Sequence, residues 1–231
     1  MVNNFAAHLD ILGFRNVICR KFDEAWGALS DLKSAMDKAL RITIIPQSTG
    51  TPIGARIRAK FFSDTVFLFT AKDTDEDLLA ILITSSQLFA NALKSCVPLR
   101  GGIAHGKFCM DPNNELFMGE SLVKAYVIGE DAQWLGIVAD KIIAERSQKT
   151  VLKEYVVNWN VPSKNGRNEP RSVLNWPKAF AAGFTKKPPI SELDFYEAFE
   201  PMFGPYDELT PDVKFKYENT VMFVNNHLPN D

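Results

Sequence analysis

The stretch KFFSDTVFLF, residues 60–69, sets a single acid between two aromatic-rich runs. On its N-terminal side ARIRAKFF alternates, with Arg56, Arg58 and Lys60 on one face and Ile57, Ala59 and Phe61 on the other, which is strand periodicity. Ser63 and Asp64 supply a turn and TVFLFT returns, so the unit reads as a hairpin with Asp64 at its tip. A second stretch, HLDILGF at residues 8–14, places Asp10 in an apolar run that reads as a buried strand over residues 4–12. A buried carboxylate without a partner is costly, because desolvation disfavours its charged form. Two such acids call for something positive between them.

Outward from the hairpin, a helix is predicted from Asp23 to Leu40, with Trp26, Leu29, Leu32, Met36 and Leu40 on one face. IPQSTGTPIG, residues 45–54, is a loop by its Pro, Ser and Gly content. Thr74 or Asp75 caps the next helix, whose Leu78, Leu79, Leu82, Leu88, Phe89 and Leu93 carry the pattern to Cys96. LRGGIAHG is a glycine-laced strand, DPNNE a turn, and LFMG a short partner strand. A helix from Glu120 to Trp134, a short strand GIVA and a helix through Arg146 follow, then two strands, YVVNWNV and SVLNW, and a last helix from Pro211 to His227. The order β-α-β-β-α-β is the split βαβ, ferredoxin-like arrangement of the α+β class. Its first strand and its hairpin are neighbours, so the two acids converge. Residues 1–180 are expected to form the main domain, and 181–231 a helical extension packed on it.

Composition narrows the function classes. The 231 residues are 46% hydrophobic and 23% charged, an ordinary globular balance. A formal net charge of −2 advertises neither a nucleic-acid nor a membrane surface. Cys19, Cys96 and Cys109 are scattered without a CxxC and read as reduced thiols, and His8, His105 and His227 lie too far apart to suggest a histidine-rich zinc site. The first ten residues lack the pattern of a signal peptide, and no apolar run approaches a membrane span, so a cytoplasmic protein is expected.

Two carboxylates at adjacent strand ends suit two divalent cations sharing oxygen ligands, with phosphates completing the shells. Gly13 after Asp10 leaves room for phosphate to approach backbone N–H groups at the following helix. Each residue also has a plainer role. Asp10 alone serves equally as a helix cap, Asp64 as a turn residue, and the Arg56, Arg58, Lys60 stripe as a solvated strand face. Arg100 serves equally as a structural ion-pair partner.

Asp10-Ile11-Leu12-Gly13-Phe14, then Phe62-Ser63-Asp64, then RGGIAHG from Arg100 to Gly106 resemble the catalytic domain of the class III nucleotide cyclases. In that family the order is a metal acid, a metal acid on a hairpin tip, and an R-x-G-I-x-x-G strand. GESLVKAYVIGE, VLNWP and KYENTVMFVNNHL look closer to the bacterial pyrimidine cyclases of Pycsar antiphage defence. The resemblance implies a homodimer with composite active sites that converts a nucleoside triphosphate, UTP or CTP, to its 3′,5′-cyclic monophosphate and pyrophosphate. It further implies two Mg or Mn ions held by Asp10, Asp64 and the carbonyl of Ile11, with Gly13, Phe14, Lys60, Arg100 and Tyr126 on the nucleotide. A separate effector would respond to the product.

The chain departs from the family on the helix after Gly119. Where purine cyclases carry Asn and Arg, this sequence has Val123 and Val127, neither of which donates a side-chain hydrogen bond. Tyr126, Lys124 and Arg15 are candidate substitutes. The departure favours a pyrimidine-using branch, with cyclic UMP expected and cyclic CMP the near alternative. Rivals of other classes are a catalytically degenerate nucleotide-binding sensor and a palm-type nucleotidyl transferase, the latter disfavoured by the negative net charge.

Overall fold

The computed structural model describes residues 2–44, 50, 52–148, 151–181 and 188–228; the loop expected at 45–54 falls mostly outside them. Strand β1 (Val2–Ile11) leads into helices α1 (Phe14–Arg20) and α2 (Phe22–Leu40). The hairpin strands β2 (Ile57–Phe62) and β3 (Thr65–Thr70) follow, then α3 (Asp75–Lys94), β4 (Leu99–Asp111), β5 (Leu116–Gly119) and α4 (Glu120–Asp131). Next come β6 (Ile137–Ala139), α5 (Lys141–Gln148), β7 (Val156–Pro162) and β8 (Asn168–Leu174). Helices α6 (Trp176–Phe180), α7 (Glu192–Tyr196), α8 (Glu200–Phe203) and α9 (Pro211–His227) close the chain. The fold is α+β, with one sheet in the order β2-β3-β1-β4-β6-β8-β7 and β5 paired to β4. Strand β1 runs antiparallel to both β3 and β4.

Period-two alternation gives β1 two faces. Phe5, Ala7, Leu9 and Ile11 enter the main core with α2 and α3. The alternate residues look the other way: Ala6 joins Phe69 and Phe108 in a separate apolar cluster, and Asn4 accepts a hydrogen bond from Ser121 of α4 at 2.7 Å. His8 and Asp10 share this second face. The buried Asp77 of α3 completes a capping box with Thr74, each side chain taking the other's backbone N–H at 3.2 Å.

Helix α4 reaches the second face because glycines remove what would separate it from the sheet. A Cβ on Gly129 would meet the backbone of Gly101 and Gly102 at 2.6–2.8 Å, and one on Gly102 would meet the carbonyl oxygen of Ala125 at 2.4 Å. Both distances are sterically forbidden, so the contact is backbone to backbone. At its other end α4 stops at Asp131, short of the predicted Trp134. Ala132 turns to extended backbone, bridges Ser163 beside the β7–β8 loop, and sends Trp134 into the core.

Several expectations need correction. Trp26 does not lie on the buried face of α2; it is 66% exposed. The buried stripe is Ala25, Ala28, Leu32, Ala35, Met36 and Ala39, whose small side chains let α2 lie close against α3. Arg56 belongs to a turn of 3₁₀ helix, Ile53–Arg56, rather than to the strand face, and its guanidinium lies 3.6–3.7 Å from Asp77 and Glu76. Helix α1 occupies Phe14–Arg20, ahead of the helix expected from Asp23, and α3 ends at Lys94 rather than Cys96.

The last helix belongs to the same core as the sheet. Phe223 of α9 packs against Trp134, Trp159 and Trp176, with ring centroids at 4.9, 5.4 and 6.2 Å. Thr220 Oγ1 accepts the N–H of Leu135 at 2.8 Å, and Asn219 Nδ2 donates to the carbonyl of Gln133 at 3.2 Å. At the opposite edge Lys21 Nζ donates to the Pro201 carbonyl at 2.9 Å.

The glycine contact is directly testable. Gly129→Ala should lower stability by roughly 1–3 kcal/mol, because neither backbone has a side chain that can yield. Urea unfolding of the variant beside wild type measures it, and an unchanged midpoint would mean that α4 does not sit against β4 as described.

Candidate functional site

The hairpin turns in two residues, Ser63 and Asp64, with Ser63 in the left-handed region at φ 53°. The tip is tied to the end of β1: Ile11 N–H donates to the Asp64 carbonyl at 3.1 Å. The sequence's two acids therefore meet at one end of the sheet. In register, Asp10 stands between Thr65 on β3 and Arg100 on β4.

Arg100 holds Asp10. Its Nε and Nη2 both donate to Asp10 Oδ2 at 3.3 Å. The same guanidinium donates to the Glu130 carboxylate at the end of α4, and Lys164 Nζ from the β7–β8 loop reaches the other Glu130 oxygen at 2.7 Å. The chain Asp10–Arg100–Glu130–Lys164 thus joins β1, β4, α4 and the β7–β8 loop. Burial pushes the Asp10 carboxyl up to about 6; Arg100 opposes the shift, while Glu130 and Asp64 add to it. Burial also acts to raise Glu130, but the Lys164 hydrogen bond and the Arg100 charge outweigh it and hold Glu130 below its ordinary value.

His8 lies two residues before Asp10 on the same strand face. Its ring meets Phe67 and Tyr126 edge-on, both at 5.1 Å, and burial lowers its pKa. His8 Nδ1 has no hydrogen-bond partner among the described residues.

The remaining sequence candidates are placed as follows. Lys60 is half-exposed on β2, 2.6 Å from Glu115 and above the Phe117 ring. It edges a cavity of 420 Å³ lined also by Phe62, Phe67, Phe69, Phe117 and Leu122. Tyr126 is exposed apart from its His8 contact, and Val123 and Val127 are 62% and 55% exposed on the outer side of α4. Phe14 is buried in the main core, so its ring is not offered to a ligand. Beside Gly13, Phe203 of α8 lies 3.4 Å from where a Cβ would stand. Gly13 takes φ 78° there, which explains the glycine without any ligand.

Among the described residues, no group of three His, Cys, Asp or Glu side chains is arranged to hold a metal ion. Two carboxylates and a carbonyl make a smaller, all-oxygen donor set of the kind Mg and Mn accept. Burial is the main cause of the raised Asp10 pKa, and the smaller contributions of Glu130 and Asp64 put further negative charge where a cation would sit. Glu130, His8 and Lys164 were missed in the sequence. Only His8 had a signal there, because strand alternation puts it on the Asp10 face. Glu130 and Lys164 arrive through tertiary packing.

No protein-family model and no curated protein matches this chain. Among the described residues no helix is long and apolar enough to cross a membrane.

The raised pKa of Asp10 has a consequence for stability. The folded value, about 6, lies above the unfolded value near 3.8, so the folded state keeps the proton longer and stability contributed by this group falls as pH rises through that interval. In metal-free buffer Asp10→Asn should therefore gain on wild type by about 1–3 kcal/mol between pH 4 and pH 7. Denaturant unfolding of both proteins across that range measures the difference, and a flat difference would place Asp10 in a more solvated setting.

Proposed function

We propose that this chain is a nucleotide cyclase of the class III type, converting UTP to 3′,5′-cyclic UMP and pyrophosphate. The observation that carries the reading is the Ile11–Asp64 backbone bond, which brings a hairpin-tip acid to the acid of the first strand. The strand order β2-β3-β1-β4, with β1 antiparallel to both neighbours, agrees with a ferredoxin-like βαββαβ core. Asp10, Asp64 and the Ile11 carbonyl would hold two Mg or Mn ions. Bound there, the ions would supply electrostatic stabilisation of the attacking and leaving oxygens. In the overall reaction the ribose 3′-oxygen loses its proton and bonds the α-phosphorus, and the bond to pyrophosphate breaks. On this reading Arg100 offers its guanidinium to phosphate oxygens once Asp10 is otherwise engaged. The aromatic cavity beside Lys60 and Glu115 suits a flat base, with one donor and one acceptor at its edge.

A homodimer fits the exposed surface. Phe62, Leu116, Met118, Val123, Tyr126 and Val127 are all exposed along the hairpin tip, β5 and the outer side of α4. Exposed apolar side chains of this size are what an interaction site uses. A partner copy laid there would complete each base pocket, and the cyclic product would act through a separate effector in antiphage defence. One observation favours a second reading, a nucleotide-binding sensor without turnover. Arg100 already neutralises Asp10, and no hydrogen-bonding side chain stands at positions 123 and 127.

Incubation with each of four NTPs and Mn, with products identified by mass, decides between the readings. Cyclic UMP should dominate, and Asp10→Asn and Asp64→Asn should each abolish it while leaving the fold intact. A main product of cyclic AMP or cyclic GMP would end the pyrimidine assignment, and no product from any NTP would favour the sensor.

Composite sites are tested by mixing. Asp10→Ala and Lys60→Ala homodimers should each be impaired. After co-refolding, half the dimers are mixed and each has one intact site, so activity should return to roughly a quarter of wild type. Mixed dimers seen by native mass without recovered activity would place both residues in one site.

A further inference from the structure

A cavity of 460 Å³ opens at the far end of β4 from the Asp10–Arg100 pair, between β4, the end of β5 and the first turns of α4. Phe108, which is buried, and Cys109, Met118 and Val123, which are not, give it an apolar wall. Cys109 and Met118 stand opposite each other in the β4–β5 register. Three charged side chains complete the lining: Lys107, Lys124 and Glu120. Lys124 Nζ is loosely held, 3.7 Å from the Glu120 carboxylate and 3.4 Å from the His105 carbonyl. Lys107 is exposed and makes no ion pair among the described residues. An apolar wall thus adjoins an excess of positive charge, and neither is used by the nucleotide reading.

We propose that this cavity binds an amphipathic carboxylate, with the acyl tail along Phe108, Cys109, Met118 and Val123 and the head group on Lys107 and Lys124. The volume lies within the ~300–1,000 Å³ typical of small-molecule sites. A saturated tail asks only to be removed from water, and the wall that would receive it carries no polar side chain beyond the thiol. The lysine stems can lie along such a tail while their ammonium groups reach its end. Charge then selects the head group. A carboxylate meets two ammonium groups and one acid, and takes charge-assisted hydrogen bonds from the former. A cationic head would meet the reverse balance. A purely apolar side chain from a second copy would cover the wall and leave both lysines unanswered. The site stands independently of the cyclase reading.

Isothermal titration of the full chain with sodium octanoate, and with octanol as its uncharged match, tests the site. Wild type should bind one octanoate per chain and octanol more weakly. Lys107→Gln and Lys124→Gln should each weaken octanoate by about 3-fold, the worth of one exposed ion pair, and together should erase its advantage over octanol. Lys33→Gln on α2, paired only within its own helix, should change nothing. The cysteines report position. Octanoate should slow alkylation of Cys109 by iodoacetamide and leave the exposed Cys19 of α1 unaffected, as read by peptide mass. Octanol bound as tightly as octanoate by wild type overturns the proposal, and so does a Cys109 that octanoate fails to protect; neither result needs a variant. Affinity indifferent to both lysines, in variants whose thermal midpoints match wild type, overturns it equally. Protection of Cys109 that follows protein concentration without octanoate would put a second copy in the cavity and end the proposal.

Discussion

Where α4 crosses β4, the paired glycines 102 and 129 leave two backbones in contact with no side chain between them, and the placement of the surrounding groups follows. A helix held so close has no freedom to rotate, so each of its residues has a fixed address. Tyr126 falls over His8, and Glu130 falls beside Arg100. Ser121 reaches the buried Asn4 near the other end of β1. A larger residue at either glycine would lift the helix and separate all these pairs together.

The charges at this corner are arranged by competition. Asp10 is mostly removed from water, and Arg100 is its counter-ion; Arg100 is shared with Glu130, and Glu130 with Lys164. A buried ion pair of this type contributes little net stability, because desolvation consumes most of the attraction. Its more telling property is that each member can exchange partners without leaving a bare charge. On the proposed reading, a divalent cation beside Asp10 and a phosphate beside Arg100 would substitute for the present pairing.

The hairpin was legible because alternation in ARIRAKFF and TVFLFT is a local signal, and Asp64 at its tip followed from two turn residues between them. The helix from Pro211 to His227 matched to the residue, since proline starts it within the last apolar period. The face of α2 was misread because large residues drew the stripe toward Trp26, whereas alanines line the contact. Among site residues, the meeting of Asp10 and Asp64 was readable from strand order. The Asp10–Arg100 pairing was not, because it depends on the register between β1 and β4, and register is set by pairs far apart in sequence. Glu130 and Lys164 were beyond reach for the same reason. Phe203 beside Gly13 is another neighbour that tertiary packing alone supplies.

Phe223, held among three tryptophans, ties helix α9 to segments far before it in sequence. Trp134 follows α4, Trp159 lies on β7 and Trp176 opens α6, so one side chain from the last helix spans three segments made before it. During synthesis the sheet's far half must wait with these indoles uncovered until α9 has been made. The corner that carries Arg100 and Glu130 shares that wait, because the segment beside it is pinned by the same helix. A truncated or stalled chain would therefore expose aromatic surface and lack a finished site, and would be a target for quality control before it could act on any ligand.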